Sequence, residues 1–402
     1  MIMCWKKFPL FEILSATVQR IPLVFVLLLG NPLPSFADLV PVPEVIRAPA
    51  ALPEIEAEGW ILVEYETGWV LGSHHADKRV EPASLTKLMT SYLVFEALDA
   101  GAFALEDEVY ISEKAWRTEG SKMFIEVDTR VRVIELIQGL VIQSGNDAAV
   151  ALAEHLSGSE EAFAAAMNRK AAELGMVNTH FRNSHGLPAD NHYSTAADMV
   201  LLSASLIRRF PDFYRYYSER EYTYNEITQH NRNLLLGRDS TVDGIKTGYT
   251  KKAGYCLIGT AVRENVRLLA AVVGSTSKTR RADQVQSLLQ FGYTAYEGQT
   301  VLKRGGEIKS LRLWMGETPR ASIGVNQDVR VIIPTGQKSK LSLTLELPDS
   351  LEAPLQANAR VGGFQLEFDG ETIHRGTLHA NETYQQGPWF SRILDYFKKW
   401  IY

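Results

Sequence analysis

The chain has 402 residues, 46% of them hydrophobic and 22% charged, with a formal net charge of −5. That is material for about two domains with proper cores and excludes a disordered chain. No basic stripe with interleaved aromatics is present, so nucleic acid is excluded as a partner, and two cysteines, Cys4 and Cys256, build no disulfide framework.

Lys6, Lys7 and Arg20, then the apolar run Ile21 to Leu29, then Pro32, Pro34 and Ser35-Phe36-Ala37 read as a secretory signal over 1–37, cleaved after Ala37. An uncleaved anchor is the competing reading. The segment holds three basic residues and one acid, so its removal takes the net charge from −5 to −7. Cys4 leaves with it. Cys256 then stands alone in Tyr255-Cys256-Leu257-Ile258, where a buried small hydrophobe is expected.

After a proline-rich segment over 38–56, Gly59 to Tyr65 and Trp69 to Gly72 read as a hairpin turning at Glu66-Thr67-Gly68. His74 and His75 have no partner spaced for a metal and are expected at the surface. Next comes Pro82-Ala83-Ser84-Leu85-Thr86-Lys87. The apolar residues Leu85, Leu88, Met89, Tyr92 and Leu93 recur with helical spacing, predicting a helix from Pro82 to about Leu98. Ser84 and Lys87 would share one face, with Ser84 in the first turn. A serine hydroxyl attacks poorly at neutral pH, but a lysine in a dry pocket near another cation loses its proton and becomes a base.

Helical periodicity continues over Arg132 to Leu140 and Asp147 to Leu156, joined by the loop Ser144-Gly145-Asn146, and then over Glu160 to Leu174 and Ala196 to Phe210. Between the last two, Phe181 to Leu187 is irregular; His185 is read there as a structural loop residue, since a serine–lysine pair leaves it no task. Strands follow over Val242 to Lys246, Ala253 to Val262 and Val266 to Val273, the last two joined at Arg263-Glu264-Asn265. Lys246-Thr247-Gly248 thus ends or edges a strand, where Gly248 permits close approach of a ligand. A helix from Arg281 to Gly292 closes a first domain over 57–297.

From 298 to 385 the texture changes to short alternating runs at Leu311 to Trp314, Val329 to Ile333, Leu341 to Leu347, Arg360 to Leu366 and Thr372 to Leu378. They predict a small antiparallel β-sandwich without catalytic residues. Over 386–402 the apolar Trp389, Phe390, Ile393, Leu394, Phe397, Trp400 and Ile401 oppose Arg392, Asp395, Lys398 and Lys399. This helix is too short to span a bilayer but suited to lie in an anionic membrane surface. Gln385-Gln386-Gly387-Pro388 before it reads as a hinge.

Each short motif is common. In order, however, Ser84-x-x-Lys87, Ser144-Gly145-Asn146 and Lys246-Thr247-Gly248 have the spacing of the serine acyl-transfer set. With Asp147, His185-Gly186-Leu187, Asp243-Gly244-Ile245 and Lys252-Ala253-Gly254-Tyr255, the chain resembles the D-alanyl-D-alanine carboxypeptidases among low-molecular-mass penicillin-binding proteins, the S11 peptidase type. The resemblance implies a multidomain α+β protein with a β-lactamase- or transpeptidase-like catalytic domain, an all-β second domain and an amphipathic tail. It implies that Ser84 attacks the peptidoglycan stem peptide with Lys87 as base and Ser144 as proton relay. Asn146 would bond the substrate amide and Lys87, and Lys246 would hold Lys87 neutral. Thr247, Arg232 and Arg281 would meet the terminal carboxylate, and the backbone of Ser84 and of Tyr249, after Gly248, would form the oxyanion hole. β-Lactams would acylate Ser84. Many relatives carry histidine where this chain has Tyr249.

No metal or cofactor is called for. Export to the periplasmic face of the cytoplasmic membrane, with anchorage by residues 389–402, follows from the signal, the tail and the resemblance. A DD-endopeptidase or β-lactamase on the same fold is the alternative enzyme. A membrane-surface protein that binds stem peptides without turnover is the alternative of another class.

Overall fold

The computed structural model describes residues 39–399. The signal, together with Trp400 and Ile401 of the tail, lies outside them. In chain order, strands β1 (Val40–Pro41), β2 (Gly59–Glu64) and β3 (Trp69–His74) precede helix α1 (Lys87–Asp99). A small ribbon of β4 (Glu108–Tyr110) and β5 (Arg130–Arg132) brackets α2 (Glu113–Arg117), and is followed by α3 (Val133–Gln138), α4 (Asn146–Ser157), α5 (Glu160–Glu173), α6 (Ala196–Arg209) and the short α7 (Pro211–Tyr214). The hairpin β6 (Glu221–Tyr224) and β7 (Ile227–His230) and the turn α8 (Leu235–Arg238) lead to β8 (Val242–Thr250), β9 (Gly254–Arg263), β10 (Val266–Ser275) and α9 (Lys278–Ala295).

Six strands form one sheet in the order β1-β3-β2-β10-β9-β8, antiparallel except for β1 beside β3. Strand residues alternate between two cores, as a period of two requires. Ile61, Val63, Ile258, Leu269 and Ala271 face the helical block, while Trp60, Leu62, Leu257, Leu268, Ala270 and Val272 face the side covered by Val285, Leu288 and Leu289 of α9. Burial on both faces explains the near-continuous apolar run of β10. β8 is an edge strand, open along one side.

Helix α1 is enclosed on every side from Lys87 to Phe95: Leu88, Met89, Tyr92 and Leu93 are buried, and so are Thr90, Ser91, Val94 and Phe95, while its last turn, Glu96 to Asp99, reaches the surface. The single apolar face read from the spacing was therefore part of a helix that is internal over its first nine residues. Its start also differs from expectation. Residues Ala83–Thr86 make a 3-10 turn and the α-helix begins at Lys87, because Ala83 has φ +48° and cannot continue a right-handed helix.

Beyond α9 the chain is β-rich. β11 (Tyr296–Leu302) pairs with β14 (Val329–Pro334), and a six-stranded sheet runs β15-β17-β18-β13-β12-β16, with β12 (Lys309–Trp314), β13 (Arg320–Gly324), β15 (Leu341–Glu346), β16 (Ser350–Glu352), β17 (Arg360–Phe368) and β18 (Glu371–Ala380). β12 and β16 are parallel, so the sheet is not purely antiparallel. The strands without a counterpart in the sequence reading are β13 and β16, which are short, and β11, whose residues alternate weakly.

The final helix is α10 (Trp389–Lys398). Its polar side docks: the Asp395 carboxylate accepts from Met315 N at 2.9 Å and from Arg312 at 3.5 Å. The expected hinge ahead of it is pinned instead. Glu317 N donates to Gln385 O at 3.1 Å and Gly387 N to Met315 O at 2.9 Å, with no room at Gly387 for a side chain, since a Cβ would lie 2.7 Å from Gly316 O.

Candidate active site

Ser84 sits in the 3-10 turn and Lys87 follows on the first turn of α1. Their side chains meet, Lys87 Nζ lying 3.1 Å from Ser84 Oγ. The Lys87 side chain is wholly buried. Its amine donates to Asn146 Oδ1 at 2.6 Å and to the His185 carbonyl at 2.6 Å. Both of those groups can only accept. A neutral amine has two N–H bonds and one lone pair, so once these acceptors take the hydrogens the lone pair is left facing the Ser84 hydroxyl. The loop supplying the carbonyl packs directly on the nucleophile turn: Gly186 has φ +92°, and a Cβ there would fall 1.8 Å from Ala83 O.

Ser144 ends a widened turn over Gly139–Gln143 in a left-handed conformation, φ +70°, which a serine adopts only where its surroundings enforce it. Its hydroxyl accepts from Lys246 Nζ at 2.7 Å. Lys246 also donates to Thr247 O at 3.0 Å. Asn146 Nδ2 donates to Glu119 O at 2.6 Å, which leaves its second N–H free to meet a ligand. Asp147 locks the same loop, accepting from the backbone N–H groups of Met123, Phe124 and Ala148 at 2.9 to 3.1 Å.

Lys246, Thr247 and Gly248 lie within β8 rather than at its end, since the strand continues to Thr250. Gly248 passes close to the nucleophile turn, where a Cβ would stand 3.2 Å from Pro82 O. Arg281, in α9, donates to Gly248 O at 2.9 Å and lies over the Tyr255 ring. Tyr249 is about half exposed and stacks on Tyr255 with centroids 4.3 Å apart. Arg232 Nε donates to Gln143 Oε1 at 3.3 Å.

These elements enclose a cleft of about 590 Å³. Ser84, Ser144, Asn146, Arg232, Thr247, Gly248, Tyr249 and Arg281 line it, and Lys87 and Lys246 reach it through their bonds to the two serines. The structure thus brings together the residues that the sequence offered as catalytic or substrate-binding candidates: Ser84, Lys87, Ser144, Asn146, Arg232, Lys246, Thr247, Gly248, Tyr249 and Arg281. Lys278 also lines the cleft and, among the described residues, no carboxylate does, so Arg232, Lys278 and Arg281 make it a receptor for an anionic group.

Burial, then the Arg232 charge, brings Lys87 down to about 7, against an opposing pull from Asp147. Lys246 is pushed well below the usual lysine range by burial and then by Lys87, Arg232 and Arg281. Lys87 thus opposes a proton on Lys246, whereas the charge that holds Lys87 itself down is that of Arg232, which takes the part expected of Lys246. Burial holds His185 down at about 4. Its ring remains structural, as expected, but its carbonyl is a contact of Lys87 that sequence reasoning missed; a backbone oxygen leaves no signature in residue type. Burial raises the Cys256 thiol to about 11, leaving it inert. His74 and His75 are exposed, and no group of three metal-ligating side chains occurs among the described residues.

A family model described as D-alanyl-D-alanine carboxypeptidase matches residues 46–277, and one described as penicillin-binding protein 5, C-terminal domain, matches residues 296–386. The chain is 44% identical to D-alanyl-D-alanine carboxypeptidase DacA of Escherichia coli (strain K12), over 86% of this chain and 88% of the relative. The structure of penicillin-binding protein 5 from Haemophilus influenzae superposes with a TM-score of 0.75 at 38% identity, covering 84% of this chain and all of that one. Penicillin-binding protein D2 from Listeria monocytogenes in its ampicillin-bound form matches at 31% identity and a TM-score of 0.56, over 61% of this chain and all of that one.

Proposed function

From the premise that this chain belongs to the D-alanyl-D-alanine carboxypeptidase family of peptidase S11, the low-molecular-mass penicillin-binding proteins, we propose that it removes the terminal D-alanine from peptidoglycan stem pentapeptides through an acyl-enzyme on Ser84. The observation that carries this reading is the set of bonds around Lys87. Two acceptors hold the N–H groups, burial keeps the amine near neutrality at about 7, and the lone pair faces the nucleophile.

Ser84 Oγ attacks the carbonyl between the last two D-alanines while its proton passes to Lys87. Backbone N–H groups of Ser84 and Tyr249 receive the oxyanion, a contribution of about 3 to 4 kcal/mol to the transition state. As the C–N bond breaks, Ser144, in contact with Lys246, delivers its proton to the leaving amine and takes up in turn the proton that Lys87 received from Ser84, so that D-alanine departs and Lys87 is again a neutral base. Water, deprotonated by the same base, then cleaves the ester and regenerates Ser84. Asn146 offers its free N–H to the substrate amide, and Gly248 leaves the edge of β8 clear for an extended peptide. Thr247, with Arg232 and Arg281, meets the terminal carboxylate. β-Lactams present the same carbonyl and carboxylate and acylate Ser84.

The apolar side of α10 supports a second element of the reading. Trp389, Phe390, Leu394 and Phe397 are each more than half exposed, while the polar side is docked. No helix among the described residues is long and apolar enough to cross a membrane, and α10 lies flat in an anionic membrane surface at the periplasmic face of the cytoplasmic membrane. The deciding experiment is D-alanine release from a diacyl-Lys-D-Ala-D-Ala tripeptide by the chain and by Ser84→Ala. Release that vanishes with Ser84 is expected; equal release by both would refute the mechanism.

A further inference from the structure

Outside the cleft, a buried carboxylate grips the segment that holds the base. Glu160 is the first residue of α5 and is almost wholly enclosed. Its Oε1 accepts from the Ser184 backbone N–H at 3.1 Å and from the Ser184 hydroxyl at 2.8 Å, and it lies 3.3 Å from His185 Nε2. Its Oε2 pairs with Lys114 of α2 at 3.2 Å. His185 Nδ1 accepts from Leu187 N at 3.1 Å, so the ring proton belongs on Nε2, facing the carboxylate. Thr90 of α1 holds the other side of the segment by donating to Ser184 O at 2.6 Å.

The charges agree with this assignment. Burial first, and the Lys87 charge second, keep His185 neutral at neutral pH. Glu160 is held below the ordinary carboxylate range although burial alone would raise it: an imidazolium at His185 would favour its charged form in acid, and with the ring neutral the Ser184 bonds and Lys114 still do so. An ionised, buried carboxylate with donors on both oxygens is a rigid anchor. What it anchors is the dipeptide whose next carbonyl meets Lys87 Nζ at 2.6 Å.

We propose that Glu160 is a positioning residue for acyl transfer: by clamping Ser184 and His185 it aims the His185 carbonyl at Lys87 and keeps the lone pair of the amine on Ser84. The inference rests on the reading of Lys87 as the base. Three polypeptide segments distant in sequence, α2, α5 and the 181–187 loop, converge on one acceptor set at the base, and a loss of alignment there is felt in the chemical step rather than in binding.

The test is acylation of Ser84 by a penicillin, resolved into a dissociation constant and a limiting rate, for the full chain, Glu160→Ala and Glu160→Gln. Expected is a limiting rate about tenfold or more lower in E160A with the dissociation constant within about twofold of the parent. Recovery to within about threefold is expected in E160Q, which keeps an acceptor for both Ser184 donors. An E160A limiting rate within about twofold of the parent, or a loss residing in binding alone, overturns the proposal. Should E160A not fold, Ser184→Ala removes one donor and carries the test: a limiting rate lowered about threefold supports the clamp and an unchanged one overturns it. A parent chain that penicillin does not label at Ser84 would remove the reading beneath the proposal, and the proposal with it; a labelled parent beside an unaltered E160A strikes the proposal alone.

Discussion

Lys246 Nζ donates to Ser144 Oγ across 2.7 Å, although 102 residues separate them. The contact joins the edge strand β8 to the loop before α4, so the proton relay proposed for Ser144 would exist only in the folded chain. Replacing Ser144 by alanine leaves Lys246 without that acceptor and the leaving amine without its donor. Expected is a fall in kcat of about 10² to 10³-fold with KM changed by less than about threefold. Steady-state kinetics on the tripeptide checks this, and a KM effect alone would move Ser144 from chemistry to binding.

The acylation rate has an acid limb. Lys87 must be unprotonated to accept the Ser84 proton, and its value of about 7 predicts that the second-order constant for penicillin falls as pH drops through about 7 and is level above it. A midpoint near the ordinary lysine value of 10.5 would contradict the buried base. Linkage gives a second sign. Between about 7 and 10.5 the unfolded chain binds the Lys87 proton more tightly than the folded one, so this group makes stability rise with pH across that window.

Arg232 is the largest charge acting against the Lys87 proton. Substitution by glutamine removes that repulsion, so the acid limb moves to higher pH. The same variant weakens binding of a substrate carboxylate. Stopped-flow acylation at several pH values separates the two effects, and an unmoved limb would show that burial alone sets the base.

Gly186 carries no side chain for a steric reason. With φ +92° and a Cβ that would stand 1.8 Å from Ala83 O, Gly186→Ala forces the 181–187 loop away from the nucleophile turn. A destabilisation of about 2 to 4 kcal/mol is expected in urea unfolding, with loss of Ser84 labelling in the molecules that remain folded. Full labelling at unchanged stability would show that the contact yields freely.

The proposed membrane anchoring would depend on the exposed rings of α10. The double replacement Trp389→Ala with Phe397→Ala removes apolar surface worth several kcal/mol of partitioning, on the order of 2 to 3 per ring. Sedimentation with anionic vesicles should therefore drop more than about tenfold, while turnover of the soluble tripeptide stays unchanged. Retained sedimentation would locate membrane attachment elsewhere in the chain.

How far the sequence could be read depended on which atoms carried the information. Ser84, Lys87, Ser144, Asn146 and the Lys246–Tyr249 run were legible because their residue types recur in short motifs whose order and spacing carry the information. The sheet was legible as apolar runs of the right length, and α4 to α6 as periodic segments. The 3-10 start of α1 was hidden because the positive φ of Ala83 is imposed by the loop around Gly186, not by alanine. The His185 carbonyl was hidden because every residue has one. Glu160 resembled any acidic residue opening a helix, and only the folded chain places Ser184 and His185 against it. The pinned Gln385–Pro388 segment looked like a hinge because glycine and proline serve free and fixed turns alike.

That pinned segment has a mechanical consequence. With Gln385 and Gly387 bonded to the strand end at Met315 and Glu317 and Asp395 bonded to the same corner, α10 is a foot rather than a leash. A leashed enzyme samples a hemisphere of substrate whose radius grows with the slack of its linker. If α10 sits in a membrane as proposed, a footed enzyme would patrol a layer at fixed height, sliding sideways with the lipid and addressing the wall polymer that passes at that level.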